Sequence, residues 1–429
     1  MSPIQLSIKD YKAVKSAEID LNGITVIAGI NGSGKSSISR LLYYALKYAN
    51  NFDIIVNKLF ENELMPIDML LQTSTIGFGK SGLINEIRSY QRMASNSSDN
   101  ETKKIAYTKG LQLVKELLLQ SDSRKDSMLT RITSIIEDNI LKDKREKQRD
   151  RSDAIDAVIK EMNGLFEKAQ NISSSRNYSL LRSSLIDAIN DDIKNVNIYE
   201  YGVPFVGKEV KNVPILNYIK QVAYIDTPMI VGMDLLNGRF QSIEYWEDLN
   251  TLLKRPAKKT YSHTINKYIK TLLNGGTYYD DVSYGVMKYR RDDGLLIDLV
   301  DSATGIKSLS LLQTLLRNGA ISDHSLLIID EPEAHLHPQW IVEYARIIVM
   351  MHQKIGAKFF IASHSADFVS AVKYITEKQK VQKSLSFYLA EEDKRKRYSY
   401  NYRSIGTDIE PIFESFNKSL DKISEYGGW

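Results

Sequence analysis

The sequence predicts an α/β fold, and three observations carry that prediction. Short runs of β-branched and aromatic residues alternate with longer segments at helical spacing. A glycine-rich loop stands between an apolar run and a helix-period segment. A second apolar run, Leu326-Leu327-Ile328-Ile329, ends directly in Asp330 and Glu331. A buried strand of that kind delivers acids to the ligand-binding end of an α/β sheet.

The elements follow in order. Ile4, Leu6 and Ile8 alternate with polar neighbours, and a second run closes in Ile24-Thr25-Val26-Ile27-Ala28, so residues 1–28 read as a hairpin. The helix after the loop passes through Leu41, Leu42, Tyr44, Ala45 and Leu46. Residues 53–90 are mixed and give no assignable element. From about 96 to 195 glycine and proline nearly vanish. There Leu129, Ile132, Ile135/Ile136 and Ile140 form one helical stripe, and Ile155, Val158/Ile159, Met162, Leu165/Phe166 and Ala169 another. Between the stripes, Gln148 is the one uncharged residue of 142–151. That run fits a solvated tip of a helical arm, with a DNA-facing tip as the alternative. Strand character returns at 221–225, helices cover 234–274, and strands are expected at 282–289 and 295–300. A helix near 306–318, the strand Phe359-Phe360-Ile361-Ala362, a hairpin from 384–389 and 398–403, and a last helix from about Pro411 complete the chain. The expected division is 1–95, a helical arm at 96–197, and 198–429.

Composition limits the function classes. The 429 residues are 43% hydrophobic and 26% charged, which is ordinary globular usage and excludes wholesale disorder. At about 150 residues per domain the prior is two to three domains. A net charge of +4 permits a nucleic-acid contact without arguing for one. Cysteine is absent, which excludes a disulfide frame, a thiolate zinc site and a cysteine nucleophile. No run approaches the ~18 apolar residues of a membrane helix. The start MSPIQLSIKD lacks the basic-then-apolar form of a signal peptide. A soluble cytoplasmic protein without membrane contact is expected.

Gly29-Ile30-Asn31-Gly32-Ser33-Gly34-Lys35-Ser36 fits G-x-x-x-x-G-K-[ST] at each required position. The glycines allow positive φ and close backbone approach. The loop's N–H groups then converge on phosphate oxygens at the positive end of the following helix. Gly29, Asn31, Gly32, Ser33, Gly34, Lys35, Ser36 and Ser37 are therefore the candidate phosphate binders, with Lys35 on the β- and γ-phosphates and Ser36 on Mg²⁺. Asp330 is the candidate for the Mg²⁺ shell, and Glu331 for polarising the attacking water. His364, in Ser363-His364-Ser365 at a strand end, suits a hydrogen bond to the γ-phosphate or that water.

With these motifs in hand, the chain resembles the ABC-type ATPases of the SMC/RecF/OLD superfamily, often labelled "AAA family ATPase". IQLSIKDYKAVKSAEIDLNGITVIAGINGSGKSSISRLLYYAL resembles their first strands and P-loop, and DEPEAHLHP (330–338) the extended Walker B and D-loop of the OLD-like branch. Ala303-Thr304-Gly305-Ile306-Lys307-Ser308 lies at their signature motif, and His364 at their switch histidine. The motif-bearing parts are 1–50 and 220–370. The resemblance implies an ABC-type P-loop NTPase head with a helical lobe and an inserted helical arm, using ATP and Mg²⁺. It implies that Thr304 and Gly305 reach a partner's γ-phosphate in an ATP-sandwiched head dimer or higher oligomer. Ile306 replaces the second glycine of transporter signatures. A plain helix N-cap is the competing account of this pair.

Further assignments follow from the same resemblance. Gln221 and Asp226 are equal candidates for the Q-loop residue, and an ordinary strand end is the alternative. Tyr11 and Lys12 are candidates for the nucleotide base by position alone. His335 and His337 sit beside Glu333, but zinc wants more well-placed ligands. OLD nucleases carry a TOPRIM domain after the ATPase. The residues after His364 are used up by a hairpin and a helix, and 391-EED-393 fits a hairpin turn, so no nuclease is expected in this chain. TOPRIM-less heads of this kind occur in anti-phage systems such as Septu and PARIS. The implied function is an ATPase subunit that controls a partner effector, a nuclease or toxin from the same operon. The alternatives are a RecF-like repair ATPase that binds DNA directly, a transporter ATPase, and a non-hydrolysing scaffold.

Overall fold

The computed structural model describes residues 2–76, 82–97, 99–120, 132, 134–136, 151–230, 243–258, 262–280, 286–334, 336–415 and 426. Two compact units divide it: residues 1–50 with 182–429, and residues 51–181.

The first unit is built on a ten-stranded mixed sheet. The N-terminal alternation forms the antiparallel hairpin β1 (Ile4–Tyr11) and β2 (Val14–Leu21). The run Ile24–Ala28 is not its second arm but a separate strand, β3, buried at every residue. A strand covered on both faces reads as a continuous apolar run, which is why alternation alone does not separate it. Strands β4 (Val196–Glu200) and β5 (Val203–Val206) extend the sheet beyond β1. On the other side lie β6 (Gln221–Ile225), then β10 (Ser325–Asp330) and β11 (Lys358–Ser363), all parallel, with β11 beside β3.

The C-terminal hairpin, β12 (Leu385–Glu392) and β13 (Tyr400–Gly406), is not an appendage. It lies inside the sheet, with β12 parallel to β3 and β13 parallel to β2. The sheet order is therefore β5-β4-β1-β2-β13-β12-β3-β11-β10-β6. A second sheet of three antiparallel strands holds β7 (Gly275–Asp280), β8 (Val286–Arg291) and β9 (Leu296–Asp298).

The helix after the glycine loop is α1 (Lys35–Asn50), packed on β6, β10 and β11. In the second unit, α2 (Phe52–Ser74), α3 (Gly82–Asn96), α4 (Asn100–Gln120) and α5 (Arg151–Ser175) pack around a core that includes Ile67, Leu70, Ile87, Leu111, Val158 and Met162. Residues 53–90, which show no assignable pattern in sequence, are thus helical over most of their described part, and the compact unit opens at residue 51, earlier than the arm expected at 96. Ile132 and Ile136 of the first stripe join this core, while Leu129, Ile140 and most of the charged run lie outside the described residues. α6 (Tyr178–Ile189) follows.

In the first unit residues 410–415 are helical, as expected from about Pro411. The same unit also holds α7 (Glu244–Leu253), α8 (His263–Leu273), α9 (Thr304–Arg317), α10 (Pro338–Ile355) and α11 (Ala366–Lys378). Ile24, Val26, Leu327, Ile329, Phe359, Ile361 and Phe387 share one core with residues of all five. Their spacing of two places them on one face of the sheet. No helix of the described residues is long and apolar enough to cross a membrane.

Phe387 is fully buried and faces Val26 across the β12–β3 pairing. Phe387→Ala should therefore cost the first unit about 3–5 kcal/mol. Urea unfolding checks this: a midpoint equal to the parent's would mean that the hairpin is not part of the sheet.

Candidate functional site

Register brings the motifs together. Ala28, the last residue of β3, pairs with Ser363 at the end of β11, and Ala362 pairs with Asp330 at the end of β10. The glycine loop, the Ser363-His364-Ser365 turn and the two acids therefore leave the sheet at the C-terminal ends of three adjacent parallel strands. Ligands of open α/β sheets bind at that edge.

Gly32 and Gly34 hold φ of +82° and +95°, which L side chains rarely adopt. A Cβ on Gly29 would stand 2.7 Å from the Ala390 Cβ of β12. The C-terminal hairpin thus sits against the loop, and the Tyr402 hydroxyl of β13 donates to the Ser33 carbonyl at 3.1 Å. The Lys35 ammonium donates to the carbonyls of Gly29 (2.8 Å) and Ile30 (3.0 Å). Burial lowers its pKa, opposed by the charges of Glu331, Asp330 and Glu333. Asn31, Gly32 and Ser36 are exposed, Ser37 is half-buried, and Ser33 Oγ is buried without a partner among the described residues.

Asp330 is 7% exposed. Ser39 Oγ donates to its Oδ1 at 2.6 Å and the Tyr224 hydroxyl to its Oδ2 at 2.8 Å. Burial raises its pKa, and hydrogen bonds from Ser39, Ser36 and Tyr224 oppose that rise. Ser36 and Asp330 thus form an all-oxygen donor pair at the start of a helix. This donor set fits Mg²⁺, which takes one or two protein oxygens and completes its shell with water and phosphate.

Glu331 follows at φ +50°, and its N–H donates to the Ala362 carbonyl at 2.8 Å. The side chains of Glu331 and His364 are 43% and 42% exposed, so water reaches both, and His364 Nδ1 stands 3.6 Å from Glu331 Oε1. Glu333, to which the sequence reading gives no role, is buried against the histidine turn. Its Oε1 accepts from Ser363 Oγ and the His364 N–H, both at 2.9 Å. The sequence signal for it is present: a carboxylate spaced two from Glu331 inside DEPEAHLHP.

Thr304 and Gly305 form the first turn of α9, away from the glycine loop in sequence but on the helix whose Ser308 and Leu311 line a small pocket with Asp330 and Glu331. Ala303, not Thr304, is the N-cap, and it offers no side-chain acceptor. A Cβ on Gly305 would lie 2.9 Å from Trp340, so close packing against α10 also demands glycine there.

The Q-loop alternatives separate. Gln221 begins β6, at the opposite end from Asp330's neighbours, and accepts from Arg255 at 3.2 Å. Asp226 follows the end of β6 and accepts from the Tyr245 hydroxyl at 2.7 Å and Trp246 Nε1 at 2.8 Å, both on α7. Asp226 therefore ties the end of β6 to α7. Tyr11 is buried with its ring in the core, and Lys12 donates to the Ile189 carbonyl at 3.0 Å. His337 caps α10 by accepting from the Gln339 N–H, while His335 lies outside the described residues. Glu391 pairs with Arg403, Glu392 accepts from the Tyr398 N–H, and Asp393 from the N–H groups of Arg395 and Lys396. The three acids are thus engaged within the hairpin.

A family model described as "AAA domain, putative AbiEii toxin, Type IV TA system" matches residues 24–370. The chain belongs to that family. The part matched by the AAA-domain family runs from β3 into α11 and so contains the glycine loop, Thr304-Gly305, Asp330, Glu331 and His364. Two curated relatives are the energy-coupling factor transporter ATP-binding proteins EcfA2 and EcfA3 of Clostridium perfringens, each 28% identical over 111 residues, or 23% of this chain. The chain spans 39% of the length of each. Similar solved structures include the SMC head domain of Thermotoga maritima (11% identity, 94% of this chain and 99% of that one, TM-score 0.37). Another is the Pyrococcus furiosus Smc head with an extended coiled coil bound to the C-terminal domain of ScpA (11% identity, 98% of each chain, TM-score 0.35).

Two glycines of the loop should respond differently to alanine. At Gly34 a Cβ meets Val14 Cγ2 at 2.9 Å as well as an unfavourable φ, whereas nothing lies within 4 Å of a Cβ at Gly32. Gly34→Ala should cost about 1–3 kcal/mol and Gly32→Ala less. Equal unfolding midpoints for the two variants would contradict the packing argument.

Proposed function

We propose that this chain binds ATP with Mg²⁺ and hydrolyses it, as the head of an ATP-sandwiched dimer that controls a partner effector. The observation that carries the reading is the convergence of the P-loop, Asp330, Glu331 and His364 at the ends of β3, β10 and β11. The relatives named ATP-binding proteins, and the family itself, support it.

In this reading the loop N–H groups and Lys35 hold the β- and γ-phosphates. Ser36 and Asp330 hold Mg²⁺, which when bound neutralises charge on the β- and γ-oxygens. Glu331 takes a proton as water attacks the γ-phosphorus and the bond to the ADP oxygen breaks. His364 lies within reach of the same water or of the γ-phosphate. Thr304 and Gly305, at an N-terminal turn with no side-chain cap, offer backbone N–H groups to the γ-phosphate of a second copy. Asp226, bonded to α7, carries changes at the site edge to the lobe. The OLD-like resemblance supports a role in anti-phage defence, with a nuclease or toxin as the effector.

Lys35→Ala should abolish ATP binding, measured by fluorescence titration with a labelled nucleotide. Parent-like affinity would sink the P-loop assignment.

Glu331→Gln keeps the shape of the side chain and cannot accept the proton. ATP should remain bound while turnover falls by about 100-fold or more, and light scattering should show a dimer that persists with ATP and Mg²⁺. Normal turnover would return Glu331 to an ordinary surface acid.

A further inference from the structure

Glu333 is buried at the edge of the site, yet holding phosphate and cation leaves it without a task. Its side chain is 6% exposed. Oε1 takes the Ser363 hydroxyl and the His364 backbone N–H, and His364 Nδ1 stands 3.3 Å from the same oxygen. Oε2 is buried with no partner among the described residues. Burying a carboxylate is costly unless its contacts repay it. Three of its contacts are to the switch histidine and the serine before it.

We propose that Glu333 is the positioning residue of His364, a role that rests on the hydrolase reading of this site. Two acids flank the ring, and distance separates them. Glu331 Oε1 is 3.6 Å from Nδ1, beyond hydrogen-bond reach, while Glu333 Oε1 is nearer and far better shielded from water. A carboxylate only accepts, so in the proposed arrangement the hydrogen sits on the ring nitrogen that faces it, and the other nitrogen's role follows. In that arrangement Nδ1–H turns toward Glu333, 3.3 Å away, and Nε2 is left as the nitrogen for the reaction. A neutral ring then offers Nε2 as an acceptor toward water, and a protonated ring offers it as a donor toward phosphate. Glu331, not tied to the ring, keeps its carboxylate for the water. Ser363 also pairs with Ala28, so the same acid fixes the turn next to the strand from which the P-loop springs.

The test compares parent, Glu333→Ala, His364→Ala and the double variant. Each single change should lower kcat about 10-fold or more, with KM and labelled-ATP affinity close to the parent's. The double variant should be no slower than His364→Ala, because residues that act as a unit are not additive. Glu333→Leu fills the same space without an acceptor and replaces Glu333→Ala if that variant does not fold. Losses that multiply in the double variant, or parent-like kcat without Glu333, would overturn the proposal. A second readout does not need turnover: nitrogen-resolved NMR of the six histidines, with His364 identified by its absence in His364→Ala. The ring should carry its hydrogen on Nδ1 in the parent and move to Nε2 when Glu333 is removed, and an unchanged tautomer would also overturn the proposal. A parent that hydrolyses no ATP would instead defeat the hydrolase reading, with the NMR result still deciding whether Glu333 sets the ring.

Discussion

The site depends on one buried carboxylate and the donors that keep it there. Asp330 ends a strand whose every residue is buried, and an anion in that position must be hydrogen-bonded or it neutralises. Its donors come from separate elements: Ser36 and Ser39 on α1, and Tyr224 on β6. Those bonds fix the rotation of α1 about its axis, because Ser36 and Ser39 are one helical turn apart and must face the same oxygen side. Fixing α1 fixes the loop before it, and with it the direction in which the loop's N–H groups point.

The same logic extends outward through Tyr245. Asp226 accepts from Tyr245 and Trp246 at the start of α7, and the Arg40 guanidinium of α1 lies 5.8 Å from the Tyr245 ring centroid. Two turns further along the same face of α1, Lys47 forms ion pairs with Glu244 and Asp248 of α7, with the Lys47 side chain 6% exposed. The helix that follows the P-loop is therefore bonded along its length to the lobe. A displacement of α7 relative to β6 has to break charge-assisted contacts, each stronger than a neutral hydrogen bond.

Much of this is legible in the sequence because its signals are local. The P-loop glycines, the apolar run before Asp330 and the strand before His364 each announce themselves within a short stretch of chain. The remainder is not local. Pro66 stands inside α2, and a proline within an apolar run argues against a helix, so residues 53–90 carry no assignable pattern. Alternation in 384–389 and 398–403 identifies a hairpin, but its insertion between β2 and β3 is a matter of topology that no single strand records. For that reason Tyr402 and Ala390, which support the loop, give no signal in sequence. Tyr11 misleads in the opposite direction: an aromatic near the loop in sequence is a core residue in space. Glu333 is visible as a letter of its motif, and only the fold places it against His364.

Glu331 shows why that motif bends where it does. Continued extension past Asp330 would send Glu331 and Glu333 to the same face and Pro332 to the other. The chain instead turns at Glu331 with φ +50°, a conformation that costs an L residue about 1–2 kcal/mol. The Glu331 N–H recovers a hydrogen bond to Ala362, the residue opposite Asp330, so the turn stays tied to β11. From there the two acids approach one histidine at different depths. Glu333 is shielded and holds the turn of β11, while Glu331 is open to water. Two neighbouring carboxylates thus acquire different environments from a single backbone bend, and difference of environment is what separates a supporting acid from a reacting one.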